Sequence, residues 1–344
     1  MAKKPSAVGR EPYDTAIEAA PKAVPVRRNP LAQWHLTDSD RAIIAHLQED
    51  GRRPFVAIAR DVGLSEKTVR ARVHQLIEAN VIQIVALASP TVLGYNAGAL
   101  LGIITDPAAP SSRIARALTD IHDIDYVALT TGRYGIFAEI IAEDFPAMQR
   151  VIEQEVGAIE GIRSVEVFPY ASVYYQKAKF FSRDDNDTPG GVKQKKLDLA
   201  DREIILELSR DGRAPLNTIA AKLGVSETMV RTRIAALLGS GQMSILALLN
   251  PMNLADRTLA WLGIRLDPAA DPHAVAEAVS SVKNVSYIAI CSGRYDLFVE
   301  LVCPSHEDIV VTARRQIGRI AEVTHLEAFL YVDLHYKSLV PTGR

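Results

Sequence analysis

The sequence predicts an α+β fold built from two copies of one unit, each with three helices followed by a four-stranded sheet that carries two further helices. The octapeptide GRYGIFAE at residues 132–139 returns as GRYDLFVE at residues 293–300, an offset of 293 − 132 = 161 positions. The same offset relates the 24-residue stretches that begin at Asp50 and Asp211, in which 12 positions are identical. In each copy, apolar residues first recur with helical spacing and then form strand-like runs.

The composition is that of an ordinary globular protein, with 48% hydrophobic and 23% charged residues in a chain of 344. The formal net charge of -2 creates no global field that would favour nucleic acid, so any DNA-binding surface must be local. Cys291 and Cys303 lie 12 positions apart, which is neither a redox pair nor a metal-ligand spacing, and we interpret both as core residues. The lack of an 18-residue apolar run and of a signal-peptide segment predicts a cytoplasmic protein without a membrane partner.

Two segments of biased composition frame the copies. Residues 1–35 are rich in Ala, Pro and charge and predict a disordered tail, either simply solvated or acting as a loose electrostatic arm for DNA. Residues 182–196, SRDDNDTPGGVKQKK, predict a flexible linker.

The first part of each copy, residues 36–88 and 197–249, predicts a helix-turn-helix domain. Thr37 and Asp198 stand where an N-cap belongs, and each precedes an apolar helical stripe. A short helix, a glycine-containing turn and a longer helix from Glu66 to about Glu78 complete the pattern in copy one. A three-helix unit that only packs against its neighbours is the alternative.

The last helix of this unit would present its first turns to DNA, because its apolar residues face the small core. Basic side chains there suit phosphates and base edges, and the capping serine marks a helix end that favours anions. The candidate DNA-binding residues are Ser65, Lys67, Thr68, Arg70 and Arg72 in copy one and Ser226, Thr228, Met229, Arg231 and Arg233 in copy two. Both copies keep arginine at the same two positions, which we expect to be exposed, and this favours double-stranded DNA as a partner.

The second part of each copy, residues 96–180 and 257–340, has the order strand, helix, strand, strand, helix, strand. This order predicts a ferredoxin-like βαββαβ domain with both helices on one face of the sheet. Strands such as GALLGIIT are apolar on both faces, so the open face needs a cover. A second such sheet is the natural cover, which predicts pairing between copies or between chains. The run VIQIVALASPTVLGYN between the two domains is interpreted as a connector.

A winged-type helix-turn-helix followed by βαββαβ, with LSEKTVRARVHQLIEANVI and a GxYD-like hairpin, resembles the Lrp/AsnC family of transcriptional regulators. The resemblance covers roughly residues 36–180 and again 197–340. It implies a tandem form of a protein that ordinarily carries one unit and dimerises, with paired ferredoxin-like sensor (RAM) domains, further oligomerisation, and a small effector such as an amino acid bound near the hairpin.

The GRY hairpin is the candidate effector site. Its glycines permit the positive φ of a tight turn, its arginines could hold a carboxylate, and its tyrosines offer a ring wall or a hydroxyl. The family's usual next residue is Asp, which suits an ammonium group or a backbone N–H, and only copy two keeps it. The candidate residues are Thr131, Gly132, Arg133 and Tyr134 in copy one and Ser292, Gly293, Arg294, Tyr295 and Asp296 in copy two. We expect the copies to have diverged in ligand binding; the alternative is a hairpin that only shapes an interface.

The sequence contains no glycine-rich phosphate loop, metal-binding histidine pair or nucleophile elbow, so no enzyme, cofactor or metal site is predicted. The enzymatic alternative comes from the fold, because sirohaem decarboxylases resemble Lrp/AsnC proteins. They need His and Arg side chains gathered around a tetrapyrrole, and the eight His of this chain are scattered.

Overall fold

The computed structural model describes residues 34–88, 90–176, 197–255 and 257–336. The expected linker, and all but the last two residues of the expected tail, lie outside the described residues. The elements of copy one are α1 (Asp38–Glu49), α2 (Phe55–Val62), α3 (Glu66–Glu78), β1 (Ile82–Ala88), α4 (Pro90–Leu93), β2 (Ala97–Thr105), α5 (Ser111–Asp120), β3 (Ile124–Thr130), β4 (Ile136–Ala142), α6 (Phe145–Val151) and β5 (Ile162–Gln176).

Copy two repeats this order. Its elements are α7 (Leu199–Arg210), α8 (Leu216–Leu223), α9 (Glu227–Gly239), β6 (Met243–Leu249), β7 (Thr258–Leu266), α10 (Pro272–Ser280), β8 (Val285–Cys291), β9 (Leu297–Cys303), α11 (His306–Val311) and β10 (Val323–Tyr336). The predicted α+β fold with two helix-turn-helix and two βαββαβ units is confirmed.

The first helix of each copy begins at the predicted cap. The Thr37 hydroxyl accepts from the N–H of Asp40, and the Asp40 carboxylate accepts in return from the N–H of Thr37, which is a capping box. Asp198 and Asp201 make the same reciprocal pair in copy two. The caps therefore fix where both helix-turn-helix domains begin.

The connector strands do more than join domains, because β1 of copy one pairs antiparallel with β6 of copy two. Ile82 lies opposite Leu249, and Ala88 lies opposite Met243. The sequence of each strand predicts only a connector within its own copy and does not indicate this pairing. The two-stranded sheet holds the two helix-turn-helix domains side by side, and their apolar residues form one continuous core.

The DGR tripeptide that opens each repeated stretch explains how closely the two domains approach. Gly51 donates its N–H to the carbonyl of Ile245 at 2.8 Å, and Gly212 donates to the carbonyl of Ile84 at 2.8 Å. A Cβ atom on Gly51 would lie 2.9 Å from the nitrogen of Leu246, too close for any side chain. Glycine is required here because the backbones of the two copies touch.

The arginine of the same tripeptide secures the contact. Arg52 donates from Nη1 to the carbonyl of Gly212 at 2.9 Å and from Nη2 to that of Ala214 at 3.0 Å. Arg213 of copy two makes the reciprocal contact and donates from Nη1 to the carbonyl of Gly51 at 2.7 Å. Burial lowers the pKa of both guanidinium groups, so each charge is partly removed from water and is compensated by carbonyl oxygens.

The two ferredoxin-like sheets close into one eight-stranded barrel with the strand order β10-β3-β4-β2-β5-β8-β9-β7. The long strand β5 pairs with β2 up to Pro169 and then, from Tyr170, with β8 of the other copy. Strand β10 does the same, pairing with β7 up to Leu330 and with β3 from Tyr331. The predicted cover is therefore the other copy, within one chain.

The space between the sheets is filled by aromatic rings. Phe137, Phe168, Phe298 and Phe329 are all fully buried. The rings of Phe137 and Phe298, which occupy equivalent positions in the two copies, pack edge to face with centroids 5.6 Å apart. The sensor helices pack on the outside of the barrel, so each sheet is apolar on both faces as the sequence predicted.

Candidate DNA-binding and effector sites

Helices α3 and α9 carry the candidate DNA-binding residues. Ser65 caps α3 by accepting from the N–H of Thr68 at 3.1 Å, and Ser226 caps α9 through Met229 at 3.2 Å. Val69, Val73 and Leu76 face the core as predicted. Lys67, Thr68 and Arg70 of copy one, and Thr228 and Arg231 of copy two, are exposed, whereas Met229 is half-buried.

The two arginines in each helix have different surroundings. Arg70 pairs with Glu66 one turn earlier at 2.6 Å, and Arg231 pairs with Glu227 at 2.6 Å. These side chains are 55% and 66% exposed, so their pairs are surface ion pairs of little energy that a phosphate could replace. Both guanidinium groups are accessible to a ligand on the outer face.

Arg72 and Arg233, expected to be exposed, are only partly so, with side chains 33% and 28% exposed. The Nε of Arg72 lies 3.1 Å from Oδ1 of Asp40, a carboxylate only 1% exposed. Arg233 lies 2.6 Å from Asp198 and 2.8 Å from Asp201. Each arginine therefore ties the recognition helix to the capping box of the first helix. The sequence shows the two arginines, but it does not indicate their carboxylate partners, which lie more than 30 residues earlier in the chain.

The GRY hairpins lie at the seam between the copies, where β5 pairs with β8 and β10 pairs with β3. Gly132 and Gly293 have φ angles of 102° and 126°, the positive values predicted for a tight turn. Just before the glycine of copy one, Thr131 donates its N–H to the carbonyl of Leu330 at 3.0 Å. Ser292, at the same place in copy two, donates its N–H to the carbonyl of Pro169 at 3.2 Å. Each hairpin is thus bonded to the long strand of the other copy.

Each hairpin arginine reaches a glutamate of the other copy. Arg294 lies 3.0 Å from Oε1 of Glu166, and Arg133 lies 3.9 Å from Oε1 of Glu327. Pairing with Glu166 raises the pKa of the Arg294 guanidinium. Sequence reasoning assigned these arginines to a ligand carboxylate, but in the structure each faces a carboxylate of the chain itself. Glu166 and Glu327 are 161 positions apart, so a search for polar residues repeated at the duplication offset would have found them.

The hairpin tyrosines do not offer a ring wall. Tyr134 and Tyr295 are fully buried, including their rings. Tyr134 donates to Glu166 at 2.5 Å, and Tyr295 donates to Glu327. Burial and the adjacent carboxylate raise the pKa of both phenols, which stay neutral donors. Each arginine, glutamate and tyrosine group therefore combines residues of both copies.

The two octapeptides differ at three positions, and the change to Asp296 is the only one of these that introduces a charge. Its Oδ2 accepts from the N–H of Leu266 at 2.8 Å, which is the backbone role foreseen for this residue. Gly135 stands at the equivalent position, where a Cβ atom would lie 3.2 Å from the hydroxyl of Thr105. The aspartate thus fastens the hairpin to β7, a contact that copy one lacks at this position.

Deeper in the seam, the half-buried Glu139 and the buried Glu300 each bind tyrosines from both copies. Glu139 accepts from Tyr170 at 2.7 Å and from Tyr287 at 2.9 Å. Glu300 accepts from Tyr331 at 2.7 Å, from Tyr126 at 3.1 Å and, at its other oxygen, from Ser286 at 2.7 Å. Burial raises the pKa of both carboxyl groups, and the hydroxyl donors partly oppose that shift. The repeated tyrosines that marked the duplication are therefore the hydrogen-bond partners that join the copies.

Family models match both parts of the unit. An AsnC-type helix-turn-helix domain matches residues 36–77 and 197–238. The Lrp/AsnC ligand binding domain matches residues 259–339, and a C-terminal dimeric alpha+beta barrel domain matches residues 110–180. The fold and these matches define a protein with two AsnC-type helix-turn-helix domains and two alpha+beta domains that together form one barrel.

Known proteins identify the family. An HTH-type transcriptional regulator of Pyrococcus abyssi is 36% identical over 139 residues, which are 40% of this chain and 87% of the relative. The regulatory protein AsnC of Escherichia coli is 29% identical over 137 residues, 40% of this chain and 90% of AsnC. The chain belongs to the Lrp/AsnC family of transcriptional regulators, as its motifs predicted.

One solved structure resembles nearly the whole chain. The sirohaem decarboxylase NirDL matches with a TM-score of 0.61 at 17% identity, covering 89% of this chain and 94% of that chain. At this identity the likeness concerns the fold alone. It shows that the tandem architecture also occurs in an enzyme.

Among the described residues, no helix is long and apolar enough to cross a membrane. Within the same residues, no group of three or more His, Cys, Asp or Glu side chains is arranged to hold a metal ion. Cys291 and Cys303 are buried free thiols, as predicted.

Proposed function

We propose that the two helix-turn-helix domains of one chain bind one operator together, through α3 and α9, as the two subunits of a dimer would. A small effector that binds at the seam of the barrel changes the affinity for DNA. The observation that carries the proposal is the pairing of β1 with β6, secured by Arg52 and Arg213. It holds two recognition helices side by side with Arg70 and Arg231 exposed.

DNA contact is assigned to the outer face of the two recognition helices. Lys67, Thr68 and Arg70 would contact one half-site, and Thr228 and Arg231 the other. Ser65 and Ser226 support them by capping the helices, and Met229 stands at the edge of the face. Because Lys67 and Thr68 correspond to Thr228 and Met229, the half-sites should differ, and footprinting that found identical half-sites would contradict this.

The test is fluorescence anisotropy with DNA from upstream of the protein's own gene, across a salt series. Arg70→Ala and Arg231→Ala should each weaken binding by about 1–3 kcal/mol if they contact bases. A lost phosphate contact would instead reduce the salt dependence by roughly one counterion. Arg113→Ala is the matched control, because it removes an arginine that is 57% exposed from the sensor domain. Equal losses in all three variants, or no binding above the non-specific background, would refute the assignment.

The effector, an amino acid or related metabolite, is assigned to the hairpin clusters. Its carboxylate would take the place of Glu166 at Arg294 or of Glu327 at Arg133, and so exchange a contact between the copies for a contact with ligand. A ligand can shift the arrangement of the two copies only through such a difference in contacts. The main-chain N–H groups of Gly132 and Arg133, and of Gly293 and Arg294, offer further donors.

A thermal-shift screen of the twenty amino acids, followed by calorimetry on the best binder, tests this assignment. Arg294→Ala should abolish binding in copy two, while Arg133→Ala reports on copy one. If both variants bind like the parent protein, the hairpins only shape the interface. Asp296→Ala distinguishes the bond to the N–H of Leu266 from a contact with the effector. Loss of effector affinity with an unchanged fold would indicate that Asp296 contacts the ligand.

A sirohaem-decarboxylase-like activity is the second candidate, favoured by the tandem fold of NirDL, one structure of which is a co-complex with an iron-uroporphyrin III analogue. The regulator is the better supported reading, because the Pyrococcus abyssi and Escherichia coli relatives are named as regulators. Saturable binding of sirohaem, followed by absorbance, would reverse that preference.

A further inference from the structure

The second helix-turn-helix domain and the second sensor domain meet around a cavity of about 360 Å³. Leu249, the last residue of β6, and Pro251 of the following turn form one wall. Lys283, at the turn before β8, and Asp308, on α11, lie on the sensor side, and Arg257 precedes β7. The volume is that of a small-metabolite site.

The charges around this cavity favour an anion. Two cations, Arg257 and Lys283, line it together with one carboxylate, that of Asp308. Oδ2 of Asp308 already accepts from the hydroxyl of Ser305 at 2.6 Å. No carboxylate in the described parts of the chain lies within ion-pair distance of Lys283, so its ammonium group is available to a ligand.

The equivalent positions of copy one carry the opposite charge. At the offset of 161 positions, Arg257, Lys283 and Asn284 of copy two correspond to Asn96, His122 and Asp123 of copy one. Ser286 and Pro304 correspond to two acidic residues, Asp125 and Glu143. His122 there lies 2.8 Å from the carboxylate of Asp123, whereas Asn284 of copy two is neutral and donates its amide to Thr312 at 3.2 Å. Asp308 of copy two corresponds to the neutral Ala147, so the charges are two cations and one carboxylate in copy two against three carboxylates and a histidine in copy one.

We propose that the cavity of copy two binds a small metabolite that carries a phosphate or two carboxylates, with Lys283 and Arg257 holding the anionic group. Its walls come from the strand that pairs the helix-turn-helix domains and from the sensor domain. A bound anion therefore contacts both domains and favours one relative position of the two. The site is separate from the GRY hairpins, and its occupancy is measured without DNA, so its failure and that of the regulator assignment are distinguishable.

The experiment measures thermal shift and calorimetric binding of inorganic phosphate and of succinate to the full chain at fixed ionic strength. We expect at least one of them to raise Tm, and Arg257→Ala/Lys283→Ala to weaken that binding at least tenfold. Asn96→Ala/His122→Ala, the matched pair in copy one, should leave the affinity unchanged. Arg257→Lys/Lys283→Arg keeps both charges and should retain binding, which separates loss of the site from loss of the fold.

Binding of phosphate alone or of succinate alone assigns the ligand to the phosphorylated or the dicarboxylate class. Absence of binding by both anions overturns the proposal. So does a loss of affinity that is equal in the two alanine pairs, because the anion would then respond to overall charge and not to this cavity.

Discussion

The two copies of the unit are nearly alike inside the barrel and differ at their surfaces. Phe137 and Phe298, Tyr134 and Tyr295, and Glu139 and Glu300 occupy matching places, and each of these side chains contacts the other copy. The recognition helices and the junction cavity have changed instead, and the two sensor domains match different family models. A shared seam restricts the residues that build it, whereas each outer surface is free to acquire its own ligand.

The largest expected effect tests how far the two halves form one core. Phe298→Ala should destabilise the protein by about 3–5 kcal/mol, because it leaves a cavity in a fully buried aromatic cluster. Phe137→Ala should cost a similar amount. Since the two rings touch, the double variant should lose less than the sum of the singles, which urea unfolding of all four proteins would measure. Strict additivity would mean that the halves have independent cores.

Most of the fold could be predicted because its signals are local. Thr37, Ser65 and Asp198 are caps whose effect is confined to a few residues, and each was placed correctly. The duplication added the strongest evidence, since it repeated every signal. The cover of the open sheet face was also foreseen, because a strand apolar on both faces cannot face water.

The candidate sites were harder to predict because they depend on contacts between distant residues. Arg70 and Arg72 look alike in sequence, yet only Arg72 faces a buried aspartate. Arg133 and Arg294 suggested a ligand carboxylate, but their glutamate partners come from the other copy. Pairing of β1 with β6 leaves no mark in the periodicity of either strand, since an antiparallel partner can come from anywhere in the chain.

Arg72 and Arg233 should differ in their contribution to stability. Arg72→Ala leaves the carboxylate of Asp40, which is 1% exposed, without its cation, and we expect a loss of about 2 kcal/mol. Arg233→Ala should lose at most about 1 kcal/mol, because its partners Asp198 and Asp201 are 54% and 15% exposed. Thermal unfolding in low salt measures both. Equal losses would show that burial of the carboxylate does not decide the value of the pair.

The smallest expected effect concerns the pH dependence of stability. Asp125 neighbours Glu139 in copy one, whereas Glu300 accepts from the hydroxyl of Ser286 at the equivalent position in copy two. Burial raises the pKa of both glutamates in the folded protein above the value of an unfolded chain. The folded state therefore binds protons more tightly, and stability should fall as pH rises from the ordinary glutamate range through the raised value.

Glu139→Gln should remove the part of this pH dependence that belongs to copy one, because its amide keeps an acceptor for Tyr170 and Tyr287 and cannot ionise. Asp125→Ser, which gives copy one the residue of copy two, should keep the dependence, because a serine hydroxyl replaces the donor that lowers the pKa of Glu139. Tm measured from pH 4 to pH 9 distinguishes the cases, with Glu300→Gln as the matched variant. Parallel curves for Glu139→Gln and the parent protein would mean that Glu139 titrates normally. A slope for Asp125→Ser that differs from that of the parent protein would assign part of the pH dependence to the carboxyl group of Asp125 itself.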